Sequence, residues 1–60
     1  MSPLEIAVFR GDTEEAERLL TSGADPNQPT TSGETLLWHA EDDFGLTEMA
    51  ALLKRFGAKK

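Results

Sequence analysis

The chain has 60 residues, no cysteine, and eleven acidic against six basic side chains, which gives a net charge of −5. So short a chain forms one domain at most, with a thin core. The lack of cysteine excludes a disulfide framework and favours a reducing compartment, so we expect a cytoplasmic protein. The acidic charge disfavours nucleic acid as a partner, and no apolar run is long enough to predict a membrane span.

The first part of the chain predicts two short helices joined by a tight turn. Ser2 can cap the first helix, and Glu5 is placed to bond back to it as in a capping box. Gly11 ends that helix, and Asp12 can cap the next one. The second helix has an apolar inner face and a charged outer pair four residues apart. These residues are Ala16, Leu19 and Leu20 inside, and Glu14 and Arg18 outside.

The stretch ADPNQPTTSGET, residues 24–35, has two prolines and several turn formers but no apolar periodicity, so it predicts a hairpin-like loop. Thr35 can cap a third helix, which Gly45 breaks. A fourth helix follows and runs to Gly57. The inward positions are Leu37, Ala40 and Phe44 in the third helix and Leu46, Met49, Ala50 and Leu53 in the fourth.

The second half of the chain repeats the first. Leu4 and Ala7 match Leu37 and Ala40 at an offset of 33 residues. Beyond the turn the offset becomes 34, which places one inserted residue around positions 42–44. The positions matched at this second offset are Gly11, Ala16, Leu19, Gly23 and Ala24 with Gly45, Ala50, Leu53, Gly57 and Ala58.

A unit of this length with a turn and two helices is typical of ankyrin repeats, and SPLEIAVFRGDTEEAERLLTSGADPN resembles that family. The second unit, GETLLWHAEDDFGLTEMAALLKRFGA, resembles it more loosely. The resemblance implies an all-α fold of two ankyrin-like helix-turn-helix repeats, with four short antiparallel helices joined by a hairpin-like loop. We expect one domain over residues 1–60, with repeat one at about 2–29 and repeat two at about 30–58.

Charged residues stand at positions where the family normally has apolar ones. In repeat two these are Glu41 and Lys54, and in repeat one Glu15 and Arg18. Such substitutions are typical of terminal repeats whose outer face meets water. Two interpretations fit the sequence: both repeats act as caps around a small shared core, or the chain gains burial from a partner or a second copy.

The resemblance also implies that contact residues lie at the ends of the inner helices and on the hairpin. The predicted partner-binding residues are Phe9, Arg10, Thr31, Ser32, Glu34, Trp38, Asp42, Asp43 and Phe44. Phe9 and Phe44 either form a contact patch or pack against each other, and Trp38 either belongs to the core or anchors a partner. We favour the core for Trp38 and the surface for Phe44.

The stretch WHAEDDFG, residues 38–45, contains the tripeptide that holds magnesium in protein kinases, but the chain has no glycine-rich phosphate loop to accompany it. His39 with Asp42 and Asp43 offers too few ligands for a transition metal. The single histidine has no third group to orient it for nucleophilic catalysis, and we expect it to be partly exposed. We therefore predict no catalysis, no metal and no cofactor.

Asp42 and Asp43 lie near a helix C-terminus, where negative charge is unfavourable. Either they cap the fourth helix or they serve binding, and our hypothesis is that Asp43 and Phe44 contact a partner. The sequence thus predicts a protein-interaction module, and its acidic stretches fit a protein partner with a basic surface better than an anionic one. The alternatives are a structural or capping element that self-associates, and an acidic neutralising partner of a basic enzyme or toxin.

Overall fold

The computed structural model describes all residues 1–60, and it contains helices and turns but no strand. The α-helices are α1 (Pro3–Arg10), α2 (Thr13–Thr21), α3 (Leu36–Trp38) and α4 (Thr47–Arg55). The α3 helix continues directly as a π-helical segment over His39–Asp43. The predicted all-α fold of two helix-turn-helix units is therefore confirmed, with a third helix that changes type along its length.

Side-chain caps begin three of the helices as predicted. The Ser2 Oγ accepts the N–H of Glu5, the Asp12 Oδ1 accepts that of Glu15, and the Thr35 Oγ1 accepts that of Trp38, at 3.1, 3.1 and 3.0 Å. These bonds satisfy N–H groups that have no partner within the helix. Residue Leu46 precedes α4 and provides no side-chain cap. The alternative that Asp42 or Asp43 caps the fourth helix is therefore wrong.

One core spans both repeats. It consists of 13 buried apolar residues: Leu4, Ala7, Val8, Ala16, Leu20, Leu36, Leu37, Ala40, Met49, Ala50, Leu52, Leu53 and Ala58. The inward positions predicted from helical spacing belong to it, apart from the half-buried Leu19 and Leu46 and the exposed Phe44. Neither repeat could bury these side chains alone, because each presents one of its faces to the other.

The inserted residue is absorbed by the π-helical segment. At the end of α1 the N–H of Asp12 bonds to the carbonyl of Ala7 at 2.9 Å. At the matching place in repeat two the N–H of Leu46 bonds to the carbonyl of Ala40 at 2.6 Å, with one more residue in between. The N–H of Phe44 reaches back five residues to the carbonyl of His39 at 2.8 Å. A π-turn adds one residue to a helix without displacing the segment after it.

The hairpin-like loop is held by side chains rather than by strand pairing. The Asn27 side chain makes two hydrogen bonds to the backbone that follows α4. Its Nδ2 donates to the carbonyl of Gly57 at 3.0 Å, and its Oδ1 accepts the N–H of Lys59 at 2.8 Å. The Glu5 Oε2 accepts the N–H and the Oγ1–H of Thr31 at 3.1 and 2.9 Å. Glu5 thus anchors the loop instead of completing a capping box, and its predicted role is wrong.

The outer face of each repeat carries an ion pair where the shared core has apolar side chains. On repeat one Arg18 pairs with Glu15, not with Glu14 as predicted. On repeat two the Lys54 Nζ lies 2.7 Å from the Glu41 Oε2. Glu15 and Arg18 match Met49 and Leu52 of repeat two, and Glu41 and Lys54 match Val8 and Leu20 of repeat one. All four of these counterparts belong to the core. The two outer faces therefore have the polar character of terminal repeats.

Candidate functional site

His39 lies at the centre of a polar and aromatic cluster at the junction of the two repeats and the loop. Its side chain is only 6% exposed. The Nε2 lies 2.6 Å from the Ser32 Oγ, and the Nδ1 lies 3.0 Å from the Asp43 Oδ2. The expectation of a partly exposed histidine is wrong, because the loop and the two phenylalanines cover the ring.

The partners of His39 fix its hydrogen bonds. A carboxylate only accepts, so the Nδ1 carries a proton and donates it to Asp43, and in the neutral ring the Nε2 accepts the hydroxyl of Ser32. The sequence-based statement that no third group orients the histidine is therefore wrong. The Ser32 Oγ also accepts the N–H of Glu34 at 3.2 Å and lies 3.0 Å from the Thr30 Oγ1. The serine is bound into the loop on several sides, and the network fixes the shape of the hairpin.

Three aromatic side chains surround the imidazole. The ring centroids of Phe9 and Trp38 lie 4.8 and 5.1 Å from that of His39, both edge to face. Phe44 stacks on His39 at 5.8 Å and meets Phe9 edge to face at 5.5 Å. The two phenylalanines therefore pack against each other, yet Phe44 keeps 41% of its surface exposed. Trp38 is half-buried and lies outside the buried core.

The acidic residues after His39 are paired within the chain. Asp43 meets His39, and the Lys60 Nζ lies 2.8 Å from the Asp42 Oδ2 and 2.9 Å from the Glu41 Oε1. Hydrogen bonds to Asp42 and Glu41 raise the pKa of the Lys60 ammonium, and those from Lys54 and Lys60 lower the pKa of the Glu41 carboxyl. The two aspartates are therefore not an uncompensated charge at a helix end, so that reason for the binding hypothesis is wrong.

The structure gathers most of the predicted contact residues into one surface. We define the inner surface as Phe9, Trp38, Asp43, Phe44 and the hairpin tip at Thr31 and Ser32. Five of its six members contact His39, and Thr31 is held by Glu5.

The other three predicted residues lie around this surface or apart from it. Glu34 bonds within the hairpin, Asp42 is directed to Lys60, and Arg10 borders a groove with Pro3 and Ile6 on the outer face of repeat one.

The residues that organise the inner surface, His39 and Glu5, were not among the predicted contacts. A signal for His39 was present, since Asp43 follows four residues later and lies on the same helix face. No signal within the sequence pairs either residue with the loop, because Ser32 is seven and Thr31 twenty-six residues away from its partner.

No group of three or more histidine, cysteine, aspartate or glutamate side chains has a geometry that could hold a metal ion. No helix of the protein is both long and apolar enough to cross a bilayer.

Two stacked helix-turn-helix units with a projecting hairpin-like loop define a helical repeat protein. The family model of the ankyrin repeat matches residues 1–31, and the chain belongs to the ankyrin repeat family. The match covers repeat one, the half whose sequence follows the family pattern more closely. Searches of curated proteins and of solved structures gave no match. Ankyrin repeats are in general non-catalytic modules for protein–protein interaction.

Proposed function

We propose that the chain binds a protein partner through the inner surface. The observation that carries this proposal is Phe44, an aromatic ring that is 41% exposed yet held in place by stacking on His39 and by the edge of Phe9. A large side chain that is ordered before binding loses little conformational freedom when a partner covers it. Exposed and rigid aromatic residues are therefore favourable anchors for protein interfaces.

The hairpin tip supports the same surface. Thr31 is bonded to Glu5 of repeat one, and Ser32 is bonded to His39 of repeat two, so each repeat fixes one residue of the tip. A loop held in this way presents its backbone and hydroxyl groups in one conformation. This supports binding to a largely preformed surface, with little rearrangement on contact.

The charge beside Phe44 favours a partner with lysine or arginine side chains. The Asp43 side chain is 44% exposed, and the neighbouring Asp42 and Glu41 already hold an ammonium group, that of Lys60. A cation from a partner would meet both a carboxylate and the face of an aromatic ring here, which is a favourable combination. The chain has no cysteine, which fits the reducing cytoplasm where we propose that it acts.

The ion pairs on the outer faces favour a module that acts alone over a unit that assembles with copies of itself. An assembly through the outer faces would have to cover Glu15 with Arg18 and Glu41 with Lys54, and dehydrating such pairs is costly. The inner surface differs in that it exposes a large apolar group, the ring of Phe44, beside its polar residues.

Photocrosslinking in native lysate tests the proposal. One variant has a photoreactive phenylalanine analogue in place of Phe44, and a matched variant has it in place of Thr21, which is exposed at the end of α2. Circular dichroism confirms that both are folded. We expect one protein to be crosslinked from position 44 and not from position 21. Crosslinks to the same proteins from both positions, or none from position 44, would contradict the proposal.

The dependence of the association rate on salt tests whether the partner is basic. Steering by Asp43 and by the net charge of −5 predicts that association with the crosslinked protein slows as salt is added, because the screening length falls from about 10 Å at 0.1 M to about 3 Å at 1 M. An association rate that does not depend on salt would exclude a basic partner while leaving the inner surface itself intact as the binding site.

A further inference from the structure

A chain of four polar contacts runs from Asp43 through His39 into the hairpin. The His39 Nδ1 lies 3.0 Å from the Asp43 Oδ2, and the Nε2 lies 2.6 Å from the Ser32 Oγ. The Ser32 Oγ lies 3.0 Å from the Thr30 Oγ1, which in turn donates its proton to the carbonyl of Glu34. We call these four contacts the His39 chain.

A neutral imidazole leaves one contact of the His39 chain without a proton. The neutral ring carries one N–H and each of the two hydroxyl groups one O–H, so three protons serve four contacts. When Ser32 donates to the Nε2 and Thr30 donates to the carbonyl of Glu34, the two hydroxyl oxygens face each other with lone pairs only. The other neutral tautomer moves the missing proton to the contact between the Nδ1 and Asp43, where it is also needed.

We propose that His39 is a proton-operated switch that sets the direction of the hydrogen bonds in the hairpin tip. When the Nε2 takes up a proton from solvent, it donates to Ser32, and the hydroxyl of Ser32 turns to Thr30. Each contact of the His39 chain then has one proton. The Ser32 Oγ can accept two hydrogen bonds, from the Nε2 and from the N–H of Glu34, so the reversal leaves no group unpaired.

Carboxylates on two elements act on the imidazole and offset the cost of charging a buried ring. Asp43, on the same helix as His39, bonds to the Nδ1. On α1, the pKa of the Glu5 carboxyl is lowered mainly by its hydrogen bonds from Thr31, and a charge on His39 lowers it further. On the loop side Glu34 takes part through its backbone. Neither the loop nor α4 adds a charged side chain that bonds to the ring.

A proton can reach the ring without unfolding of the chain. The imidazole is 6% exposed, but Ser32 is exposed and the Asp43 side chain is 44% exposed, so both bonded partners of the ring reach the surface. His39 is the one histidine of the chain, and histidine is the side chain that ordinarily changes its charge between pH 5 and 8. The switch therefore works within a range that a cell can reach.

The consequence for partner binding rests on the proposed function. A charge on His39 cancels that of Asp43 beside Phe44, so the affinity for a basic crosslinked protein should fall by about two- to fivefold between pH 8 and 5.5. His39→Gln gains no charge and should lose this dependence on pH. An equal fall in both chains would exclude His39 as the regulator of binding.

NMR of the full chain tests the switch without a partner. The ring protons of His39 report its charge, and the Cβ shift of Thr30 reports the partner of its hydroxyl, in a titration from pH 8 to 5. We expect Thr30 to change with the same midpoint as the ring. In Ser32→Ala the connection is missing, so the ring should still titrate while Thr30 no longer follows it. Circular dichroism confirms that each chain is folded.

A matched pair of variants at Thr30 tests the proton count. In Thr30→Ala, Ser32 has no acceptor for its proton when the ring is charged, so the midpoint of the ring should fall by about 0.5–1 pH unit, the equivalent of one hydrogen bond. Thr30→Ser keeps the hydroxyl and should titrate like the parent.

Any of three results would overturn the switch. They are a ring that keeps its charge from pH 8 to 5 or takes up a proton only as the chain unfolds, a Thr30 shift that does not follow the ring, and one midpoint shared by the parent and Thr30→Ala. None of these measurements needs a partner. If position 44 crosslinks no protein, the proposed function fails while the spectra still decide the switch.

Discussion

The inner helices of the two repeats occupy matching places, but they hold the same loop with different chemistry. In repeat one, α1 is a regular helix of eight residues, and its Glu5 carboxylate holds Thr31 of the hairpin. In repeat two the matching helix turns π-helical after Trp38, and its His39 imidazole holds Ser32. Each repeat thus contributes one buried polar side chain to the loop.

The two repeats differ most clearly at the position that Ile6 and His39 share. His39 matches Ile6, which remains 40% exposed on the outer face of repeat one. In repeat two the same position is covered by Phe9 and Phe44, and Asp43 of the π-helical segment bonds to the imidazole. Helix irregularities of this kind are frequently found at functional sites. The more divergent repeat therefore supplies most of the inner surface.

Truncating His39 and its counterpart Ile6 to alanine should give the largest difference between the repeats. His39→Ala removes two hydrogen bonds and the packing of three aromatic rings, so we expect the free energy of unfolding to fall by about 2–4 kcal/mol. Ile6→Ala should cost less than about 1 kcal/mol, because its side chain is already partly in water. Urea unfolding measures both. Equal losses would show that His39 does not organise the junction.

The dependence of stability on pH tests the hydrogen bonds of the Glu5 carboxylate to the loop. Hydrogen bonds from Thr31 lower the pKa of Glu5 below its ordinary value of 4.5. The folded state therefore binds the proton less readily than the unfolded state, so this stabilisation is present above the ordinary value and is lost as the pH falls through the lowered pKa.

Urea midpoints measured from neutral pH down to about pH 3 test this expectation. Glu5→Gln should be less stable than the parent at neutral pH and should show a shallower loss in acid. Glu15→Gln is the matched control for removing a carboxyl group whose pKa is lowered but which does not contact the loop. The pKa of Glu15 is lowered mainly by its hydrogen bond with Arg18 on the surface. If Glu5→Gln and the parent lose stability in parallel, the bond to Thr31 does not contribute.

Deleting Asp42 restores the 33-residue spacing and converts the π-helical segment into a regular helix. The surface contact with Lys60 and part of the packing around His39 are lost, so we expect the free energy of unfolding to fall by about 1–3 kcal/mol. Residues just before the deletion turn by about 100° around the helix axis relative to Phe44. The cluster around His39 should then separate, with loss of crosslinking from position 44.

The substitution Asp42→Asn is the control for the deletion, because it removes the charge and keeps the residue count. It should retain the crosslink. A deletion variant that binds as well as the parent would show that the inserted residue has no part in the inner surface.

The smallest expected effect belongs to Asp43→Asn. The amide oxygen can still accept the proton of the His39 Nδ1, and the carboxylate it replaces is 44% exposed, so the cost in stability should be about 0.5 kcal/mol or less. Affinity for a basic partner should nevertheless fall, as measured by titration with the crosslinked protein. Unchanged affinity would remove Asp43 from the contact while leaving Phe44 in it.

Much of the fold is predictable because it follows from local chemistry. The caps at Ser2, Asp12 and Thr35 and the breaks at Gly11 and Gly45 involve residues within a few positions of one another. The repeat offset then places apolar residues such as Leu37 and Leu53 in one core. Even the inserted residue is visible in the sequence, although the π-helical segment that absorbs it is not.

The helices, the repeat, the ankyrin family and the charged outer faces can be predicted from the sequence, since each depends on periodicity or on near neighbours. The partners of Glu5 and His39 depend on the folded chain, because the loop returns to the inner helices over up to 26 residues. The same holds for Phe44, which is both packed and exposed, and for Leu46, which packs over Gly11 while no side chain covers Gly45.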